Sequence, residues 1–528
     1  MELRRSRVPR PEHRPLPSPP QISDFIDQHQ TLVEHVRRDL QRGLKKPATG
    51  RNGLDAPQVL RSLTLMRVKN WDYRELRERI ADGYTLRQFT QFFSSPVPQH
   101  DAFHRAFVRL TPATLEAVNQ QIVQAAVALG LEDGKKLRTD TTVVETDIHH
   151  PTDSTLLWDT VRVITRLVGH LDKLLPRGVR GFTNHRRSAR RRMQQIQRLS
   201  AQQRQSQQVP QYRRLIRVSQ RVVANARRVL KQTEHARGET PLDDLAIQAL
   251  RKEIESYCQL GDRVIDQAHR RVLEAEQVPS DQKVYSIFET HTDLIKRGKT
   301  QKPIEFGHKV FLAESARGLI TQYRVLDGNP ADEHHVEPSL QHHQQTFGQA
   351  PEVYAGDRGF YSPNNLTACQ QAGVELISIP QRGGKKTPER SAIEKSPAFK
   401  KGQRFRAGIE GRISVLFRGR GMKRCLAEGR QRFELFVGAA VLANNLLRIA
   451  ALLRAKRKPP HSAAAESLLE TFVLRTVPTC LWAKRTDLLS HLYYGFGLAF
   501  RNSDCDNPNL PRLPSASQRR FQPFRDRN

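Results

Sequence analysis

The sequence predicts an α/β protein whose mixed sheet is interrupted by a long helical segment and preceded by a helical region. Three observations predict this class. Segments rich in Thr and Val, which are typical of strands, begin only at residue 136. About 120 residues without a strand signal separate the first strand from the second. The later strands alternate with helical segments, which is the order typical of a mixed α/β sheet.

The first 130 residues are predicted to be largely helical. Residues 1–50 are rich in Pro, Arg and Gln and predict a weakly ordered basic N-terminus with a single helix over 22–43. Residues 51–130 predict a helical domain, because apolar residues recur there at helical spacing. Its surface is expected to be basic, which makes it a candidate DNA-binding domain. The cations that predict this are Arg61, Arg67, Lys69, Arg74, Arg77 and Arg79.

The rest of the chain is assigned from strand and helix patterns. Strands are predicted at 136–146, 284–288, 304–313, 318–326, 352–355 and 374–379, with helices at 338–347 and 363–372. These patterns place one sheet domain in 131–160 and 281–455, with 161–280 as a basic helical insertion. Residues 456–528 form a C-terminal tail for which the sequence predicts no role.

The charge of the chain predicts a polyanionic partner. It has 87 Lys and Arg against 54 Asp and Glu, a formal net charge of +33. Residues 161–240 alone carry 20 Lys and Arg against 3 Asp and Glu, a net of +17, so half of the excess lies in the predicted insertion. Nucleic acid is the first partner to expect from such a balance.

The basic insertion has two interpretations. It is either a helical pair whose charges face water or an arm that lies along a phosphate backbone. Self-repulsion within so dense a run of cations favours the second interpretation. The arginines predicted to bind DNA in this arm are Arg186, Arg187, Arg190, Arg191 and Arg192.

The composition argues against a membrane or secreted protein. The most apolar stretch, 435–453, is interrupted by Asn444, Asn445 and Arg448, which argues against a membrane span. The N-terminus lacks the apolar core of a secretory signal. Five cysteines are scattered along the chain without a C-x-x-C pair, which fits a reducing compartment. We therefore expect a cytoplasmic, nucleoid-associated protein with no membrane partner.

Three acidic residues stand out because of their settings. Asp140 lies in the middle of the first predicted strand, where an unpaired buried charge is costly. Asp357 follows a predicted strand and opens a turn, and such loops are where α/β sheets place ligand chemistry. Glu410 lies in a segment that would be helical but for Gly408 and Gly411. Carboxylates suit Mg²⁺, which can activate the attacking oxygen in phosphodiester chemistry, so the three acids could form one metal site.

Each of these acids also has a purely structural interpretation. Asp140 could pair with an arginine, Asp357 could cap the following helix, and Glu410 could bridge to Arg406 one turn earlier. The three acids lie far apart in the chain, so their spacing does not decide between a shared site and three local roles.

Histidine-containing segments leave further alternatives open. Histidine pairs at 334–335 and 342–343 could bind zinc, but Pro338 predicts a helix start between them and favours structural roles. The Gly-His-Lys segment at 307–309 lies on a predicted strand and could face a substrate. His308 could equally be a structural histidine whose hydrogen bonds are satisfied.

A set of sequence blocks occurs in a fixed order along the chain. The blocks are LRTDTTVVETDIHHPTDSTLLWD, PIEFGHKVFL, VLDGNPAD, VYAGDRGFYSPNN, RAGIEGRISVLFRGRGMKRC and FVGAAVLANNLLRIA. Together they resemble DDE-type insertion-sequence transposases of the ISNCY group, over roughly residues 60–455. The resemblance implies a ribonuclease-H-like sheet that carries three acids and is interrupted by the helical insertion.

The resemblance also implies a role for each acid. Asp140 takes the place of the first catalytic Asp, Asp357 that of the second, and Glu410 that of the catalytic Glu. The three would hold Mg²⁺ or Mn²⁺. Arg406 fits the Arg that lies one turn before this Glu in related enzymes and is expected to contact DNA.

Two positions depart from the family's pattern. Related enzymes often have Tyr three residues before that Arg and a basic residue seven after the Glu, where this chain has Gln403 and Phe417. Because Phe417 cannot pair with a phosphate, Arg418 is predicted to serve instead. Arg358 is also predicted to contact DNA.

The function that the resemblance implies is transposition. The enzyme would cut double-stranded DNA at the ends of an insertion sequence and transfer the strands into target DNA, as a homo-oligomer on that DNA. Two alternatives remain: a non-catalytic DNA-binding protein derived from such an enzyme, and a stand-alone metal-dependent nuclease. Inverted repeats around the gene would favour transposition over both.

Overall fold

The computed structural model of the 528-residue chain describes residues 19–45, 53–296 and 303–457. The helices within these residues are α1 (Pro19–Gln28), α2 (Gln30–Gln41), α3 (Ala56–Lys69), α4 (Tyr73–Asp82), α5 (Tyr84–Thr90), α6 (His100–Arg109), α7 (Pro112–Ala128), α8 (Asp153–Leu174), α9 (Arg186–Gln197), α10 (Ala201–Gln232), α11 (Pro241–Ala268), α12 (Val336–Phe347), α13 (Pro363–Gln371), α14 (Pro388–Lys395), α15 (Pro397–Ser414) and α16 (Arg430–Arg457). The strands are β1 (Lys136–Thr146), β2 (Asp293–Lys296), β3 (Ile304–Ser315), β4 (Ile320–Val325), β5 (Val353–Ala355), β6 (Leu376–Ser378) and β7 (Arg424–Cys425).

The strands form one mixed sheet in the order β2-β3-β1-β5-β6, which confirms the predicted α/β class. β1 pairs antiparallel with β3 on one edge, and β2 and β4 share the far edge of β3. On its other edge β1 pairs parallel with β5 at residues 136–138 and with β7 at residues 145 and 146. The described strands therefore leave a gap along β1 between β5 and β7.

The strand predicted at 284–288 is wrong, and the second strand of the chain is β2 instead. Side chains accept hydrogen bonds from the backbone N–H groups that a strand would use to pair with its neighbour. Gln267 accepts a hydrogen bond from the Val284 N–H at 2.7 Å. Ser286 Oγ accepts from the N–H groups of Phe288 and Glu289 at 3.1 and 3.0 Å. Local bonds of this kind compete with strand pairing.

The N-terminal helices α1–α7 share one apolar core. Residues 19–41 form two helices rather than the single helix predicted over 22–43. The break lies at His29, whose ring Nδ1 bonds to the Phe25 carbonyl at 2.7 Å, while its N–H bonds to the Ile26 carbonyl at 3.2 Å. Residues 1–18 and 46–50 of the predicted N-terminal segment, and residues 51 and 52 after it, lie outside the described residues.

The basic surface expected on this helical region is smaller than its sequence predicts. Arg61 is fully buried, and its guanidinium pairs with Asp27 at 2.6 Å and donates to Ser23 Oγ at 2.7 Å. Arg67 is also buried, and burial lowers its pKa to about 10. Both arginines therefore hold the fold together and are withdrawn from the surface.

Helix α16 joins the N-terminal core to the sheet. Its apolar residues pack in the core of the N-terminal helices and in the core beneath the sheet. By length and composition alone α16 could cross a membrane, but 72% of its most apolar 18-residue stretch is buried inside the protein. Asn445 is fully buried and bonds to the backbone N–H and carbonyl of Ile320, at 3.0 and 2.8 Å, and to Asn119 at 2.7 Å. The polar interruption seen in the sequence thus attaches α16 to β4 and α7.

Helices α8–α11 lie between β1 and β2 in the chain and have an apolar core of their own. Each long helix turns apolar residues inward, such as Leu215 and Val222 of α10 and Ile254 of α11. The domain boundaries given above stay predictions, and the tail beyond residue 457 lies outside the described residues.

Candidate active site

Asp140 lies on β1 where the sheet has its gap. Pairing with β3 fixes the strand, with Asp140 opposite Leu312. Asp140 is buried, with 8% of its surface exposed, and its carboxylate accepts a hydrogen bond from the Thr141 N–H at 2.8 Å. Neither β5 nor β7 pairs with this part of β1, so no strand among the described residues covers its edge beside Asp140.

Asp357 lies two residues beyond the end of β5. Its carboxylate accepts from the Gly359 N–H at 2.8 Å and so caps the short helical turn Arg358–Phe360. A Cβ on Gly359 would stand 2.6 Å from Asp332 Oδ2 and 3.0 Å from Asp357 Oδ1. Only glycine fits between these two carboxylates, which therefore border the same small space.

Glu410 and Arg406 lie one turn apart on α15, which runs without a break through both of its last glycines. The interruption expected from these glycines is absent from this helix. Gly408 faces Arg138, whose guanidinium occupies the place where a Cβ would stand. Arg138 also donates to the Phe405 carbonyl at 2.8 Å. Glycine thus lets α15 lie close against β1, with Arg406 beside Asp140.

All three acids meet at one guanidinium. Arg406 Nη2 lies 2.9 Å from Asp140 Oδ2 and 3.7 Å from Asp357 Oδ2, and Arg406 Nη1 lies 2.9 Å from Glu410 Oε1. Each structural interpretation of an acid is therefore realised: one pairs with an arginine, one caps a turn, and one bridges along a helix. Arg406 is the partner of both Asp140 and Glu410, and Asp357 lies beside it. These local roles therefore bring the three acids together.

The acids and Arg406 line a cavity of about 520 Å³. Its lining also includes Thr141, Lys296, Lys309, Asp332 and Phe417. Glu410 is the most accessible of the three acids, with 67% of its side chain exposed, whereas Asp140 lies at the buried end. The cavity therefore runs from solvent to the middle of β1.

Burial is the main cause of an unusual pKa at Asp140. It raises the pKa of this carboxyl from 3.8 to about 6, and the charges of Asp357 and Asp332 act in the same direction. Arg406 and the Thr141 N–H act in the opposite direction without cancelling the burial. A strongly perturbed acid in a cavity of converging charges is a candidate functional group.

The oxygen atoms of the three acids are of the type that binds a hard divalent cation. Carboxylate oxygens are ligands that Mg²⁺ and Mn²⁺ take, and a positive charge, that of Arg406, already lies among the three acids. In the part of the chain that the structure describes, no three His, Cys, Asp or Glu side chains are spaced to hold a metal ion as they stand. The acids are gathered around a guanidinium, so a cation in their midst requires Arg406 to turn away.

Gln403, at the position where relatives often have Tyr, has a structural role. Its amide donates to the Ser378 carbonyl at 2.6 Å, to Ser378 Oγ at 3.0 Å and to the Gly356 carbonyl at 3.3 Å. These bonds tie α15 to the ends of β5 and β6. Gln403 thereby holds Arg406 beside the turn that carries Asp357.

The structure separates Phe417 from Arg418. Phe417 lines the cavity, whereas Arg418, predicted to supply the charge that Phe417 lacks, is exposed and not part of the lining. Arg358 directly follows Asp357 and is exposed, also outside the lining. Neither arginine reaches the acids in this structure.

His308 has a structural role. It is 1% exposed, and its ring bonds to His291 at 2.7 Å, to Asp293 at 3.0 Å and to Arg430 at 2.8 Å. This network holds β2 and α16 against β3, which decides the alternative left open by the sequence. The two histidine pairs considered for zinc form no metal-binding group among the described residues.

Three charged residues of the cavity lining, Lys296, Lys309 and Asp332, are absent from the sequence-based prediction of the site. Lys309, on β3, and Asp332, in the loop after β4, form an ion pair at 2.7 Å. Lys309 drew attention only as a neighbour of His308. Asp332 carries no local signal, because its place beside Asp357 depends on how the loop after β4 folds back.

The cations of α9 and α10 form a second charged region. α9 has five Arg, and α10 has eight Lys and Arg along 32 residues, and neither helix has an acid. Most of these cations are exposed. Among the described residues, Arg227 is the one of them that forms an ion pair, with Asp262. One face of α10, by helical spacing, carries Arg214, Arg217, Arg221, Arg228 and Lys231.

The arginines predicted to bind DNA lie on α9. Arg186, Arg187, Arg190 and Arg191 are exposed, and Arg192 is half-buried. The sequence predicts the charge excess of α10 but not which of its cations share a face, because that depends on the helix.

Comparison with known proteins gives one match. Residues 281–446 match the family model described as a transposase DDE domain, a range that contains Asp357 and Glu410 but not Asp140. The match supports a DDE-type transposase. No curated protein and no solved structure matches the chain.

Proposed function

We propose, from the premise that residues 281–446 carry a transposase DDE domain, that this protein cuts DNA at the ends of an insertion sequence and joins those ends to target DNA. The observation that carries the proposal is the meeting of Asp140, Asp357 and Glu410 at Arg406 in one cavity. The order of the sequence blocks favours the ISNCY group, with a ribonuclease-H-like sheet that is interrupted by α8–α11.

The three acids would hold Mg²⁺ or Mn²⁺, which when bound neutralises phosphate charge and activates the attacking oxygen. The chain's own residues prepare for this in different ways. Asp140 is held in place by the strand and by the Thr141 N–H, and Asp357 by its turn. Glu410 lines the cavity from α15, with 67% of its side chain exposed, and is held by Arg406 one turn earlier. Arg406, once released by the acids, is placed to bind a phosphate through two N–H groups.

The proposed reaction has two steps at one site. Water first cleaves a phosphodiester at the element end and leaves a 3′-hydroxyl. That hydroxyl then attacks a target phosphodiester in line, so one phosphodiester forms as another breaks. Both steps place extra negative charge on the oxygens around phosphorus, which cationic side chains at the site stabilise.

The cations of α9 and α10 would hold the DNA outside the cavity. Contacts from Lys and Arg to phosphates position a duplex without specifying its sequence. Because two ends are joined in one event, we propose that a homo-oligomer assembles on the DNA. The protein would work on the nucleoid in the cytoplasm.

A single isosteric substitution tests the proposal. Asp357→Asn in the full-length protein should bind DNA that carries the gene's flanking repeats but should not cut it in Mg²⁺ or Mn²⁺. Asp281→Asn, an exposed acid outside the cavity, is the matched control and should cut like the wild type. Metal-dependent cleavage by Asp357→Asn at the wild-type rate would contradict the proposed site.

The same experiment separates the alternatives. Cleavage without preference for the repeats, and without strand transfer, would indicate a stand-alone nuclease. Binding to the repeats without cleavage by the wild-type protein would indicate a non-catalytic DNA-binding protein.

A further inference from the structure

The cavity contains a charged pair that the proposed reaction leaves without a role. Lys309 Nζ lies 2.7 Å from Asp332 Oδ1 and donates to the Pro330 carbonyl, also at 2.7 Å. The Thr141 hydroxyl donates to the same Asp332 oxygen at 2.9 Å. Only 11% of the Lys309 side chain is exposed. The lysine is thus fixed between β3, β1 and the loop after β4, on the wall of the cavity that holds the three acids.

The geometry leaves Lys309 one donor for a ligand. An ammonium group has three N–H donors, and Asp332 and Pro330 take two of them. Within the described residues Lys309 has no third partner, and its side chain lines the cavity. An ammonium group with one N–H donor left unpaired in a confined space attracts an anion more strongly than the same group in open water, because solvent screens its charge less.

The other cations near the acids suit this role less well. Arg406 lies among the three acids. Lys296 is exposed at the end of β2 and has no anchoring contact among the described residues. Arg418 lies outside the lining, and Phe417, which does line the cavity, has no charge. Lys309 is the cation that is both anchored and directed at the cavity.

Asp332 acts on Lys309 rather than on a ligand. Its Oδ1 is occupied by the Lys309 ammonium and the Thr141 hydroxyl, and its Oδ2 faces the backbone of Gly359. The acid therefore fixes the direction of the lysine and offsets the cost of burying its charge.

We propose that Lys309 binds a non-bridging oxygen of the substrate phosphodiester, with Asp332 as its positioning residue. Lys309 would supply from β3 the positive charge that the family's pattern expects seven residues after Glu410. This inference rests on the proposed function for the identity of the substrate, but the binding itself is tested without turnover.

The binding test uses inorganic phosphate as the probe and Mn²⁺ as a relaxation agent. With the full-length protein and Mn²⁺, phosphate held in the cavity lies next to the ion, so its ³¹P resonance broadens. The protein is kept in excess over Mn²⁺, so that phosphate bound away from the ion broadens less than phosphate in the cavity. Lys309→Met should reduce the broadening at least about tenfold, and Asp332→Asn should reduce it less.

Two further variants make the binding test decisive. Lys309→Arg keeps the charge and should restore part of the broadening, which a purely structural role for Lys309 does not predict. Lys252→Gln removes an equal charge from α11, outside the cavity lining, and should broaden like the wild type. Equal broadening in Lys309→Met and the wild type would overturn the inference while leaving the metal site standing. No broadening in the wild-type protein would overturn the metal site and the inference together.

A kinetic test follows the same variants on supercoiled plasmid that carries the gene with its flanks. Lys309→Met should slow Mn²⁺-dependent cleavage about a hundredfold to a thousandfold, the range for loss of one group that stabilises developing charge. The affinity for a flanking duplex, measured by fluorescence anisotropy in Ca²⁺, should change less than about threefold, because many other cations hold the DNA. Loss of affinity in parallel with rate would assign Lys309 to general DNA binding and overturn the inference.

Discussion

The carboxylate cavity and the cations of α9 and α10 are the two strongly charged regions of this protein, and they are built in opposite ways. In the cavity each charged residue except Lys296 has a fixed partner among the described residues at 2.7 to 3.7 Å, and most of these residues are at least partly buried. They lie on β1, β3, α15 and two loops. On α9 and α10 the charges are of one sign, mostly exposed, and almost without acidic partners among the described residues.

This difference predicts how each region should respond to substitution. A buried charge whose partner is removed stays in a poorly solvated place, so one change has a large effect. Exposed cations interact with a polyanion through a shared and screened field, so each contributes little and their number decides the result. The cavity should be sensitive to the identity of single residues, and the two helices only to their total charge.

The largest effect is expected from one acid of the cavity. Asp140→Asn keeps the shape of the side chain but removes its charge, and should lower Mg²⁺-dependent cleavage by about a thousandfold. DNA affinity measured in Ca²⁺ should stay within a few-fold of the wild type. A variant that cuts at more than a tenth of the wild-type rate would remove Asp140 from the site and weaken the contrast between the two regions.

The next largest effect requires several substitutions on α10. Replacing Arg214, Arg217, Arg221, Arg228 and Lys231 together by Gln should make the slope of log affinity against log salt less steep by about 4. Cleavage at saturating DNA should change little, because these residues lie outside the cavity. The matched control replaces Lys252 and Arg263, exposed cations of the acid-rich helix α11, and should leave the slope nearly unchanged. If the slope changed by the same amount for each charge removed in both sets, the position of the charges on α10 would be irrelevant.

Asp140 in the cavity should also make the free energy of unfolding depend on pH, whereas the exposed arginines of α9 and α10 should not. The pKa of Asp140 is about 6 in the folded protein and 3.8 in the unfolded chain, so folding favours the protonated carboxyl. The cost of ionising Asp140 is absent below pH 3.8 and is complete above pH 6. In EDTA, the free energy of unfolding of the wild type should fall relative to that of Asp140→Asn by about 2 kcal/mol as the pH rises from 4 to 7. Parallel curves for the two proteins would contradict the shift.

The smallest effect is expected from one exposed arginine. Arg214→Gln should weaken DNA binding less than about twofold at moderate salt and change the salt slope by about 0.9, the value of a single phosphate contact. A tenfold loss from this one change would mean that Arg214 makes a specific contact, and the description of α10 as an additive surface would fail.

The fold could be predicted from the sequence where the local pattern and the tertiary environment agree. The strand rich in Thr and Val was placed at 136–146, and β1 has those bounds, because both faces of the sheet are covered there. The pattern failed at 284–288, where Gln267, distant in sequence, takes backbone hydrogen bonds that no local rule anticipates. It also failed at Arg61, since a cation spaced for the surface is buried against Asp27.

The candidate site was predictable in part. The resemblance singled out Asp140, Asp357 and Glu410, and the structure gathers them, although their catalytic role stays a prediction. Lys309 and Asp332 could not be assigned, because their pairing depends on a loop that returns to the sheet. The meeting of all three acids at Arg406 could not be read from spacing either, since it depends on Gly408 bringing α15 close to β1.

The central claim is that three acids from different elements form one metal site. Titration of Mn²⁺ into the full-length protein, followed by the electron paramagnetic resonance of the free ion, tests it without DNA or turnover. Asp140→Asn, Asp357→Asn and Glu410→Gln should each weaken the same bound Mn²⁺ at least about tenfold, and Asp281→Asn should not. Wild-type binding of Mn²⁺ by all three variants would contradict the account.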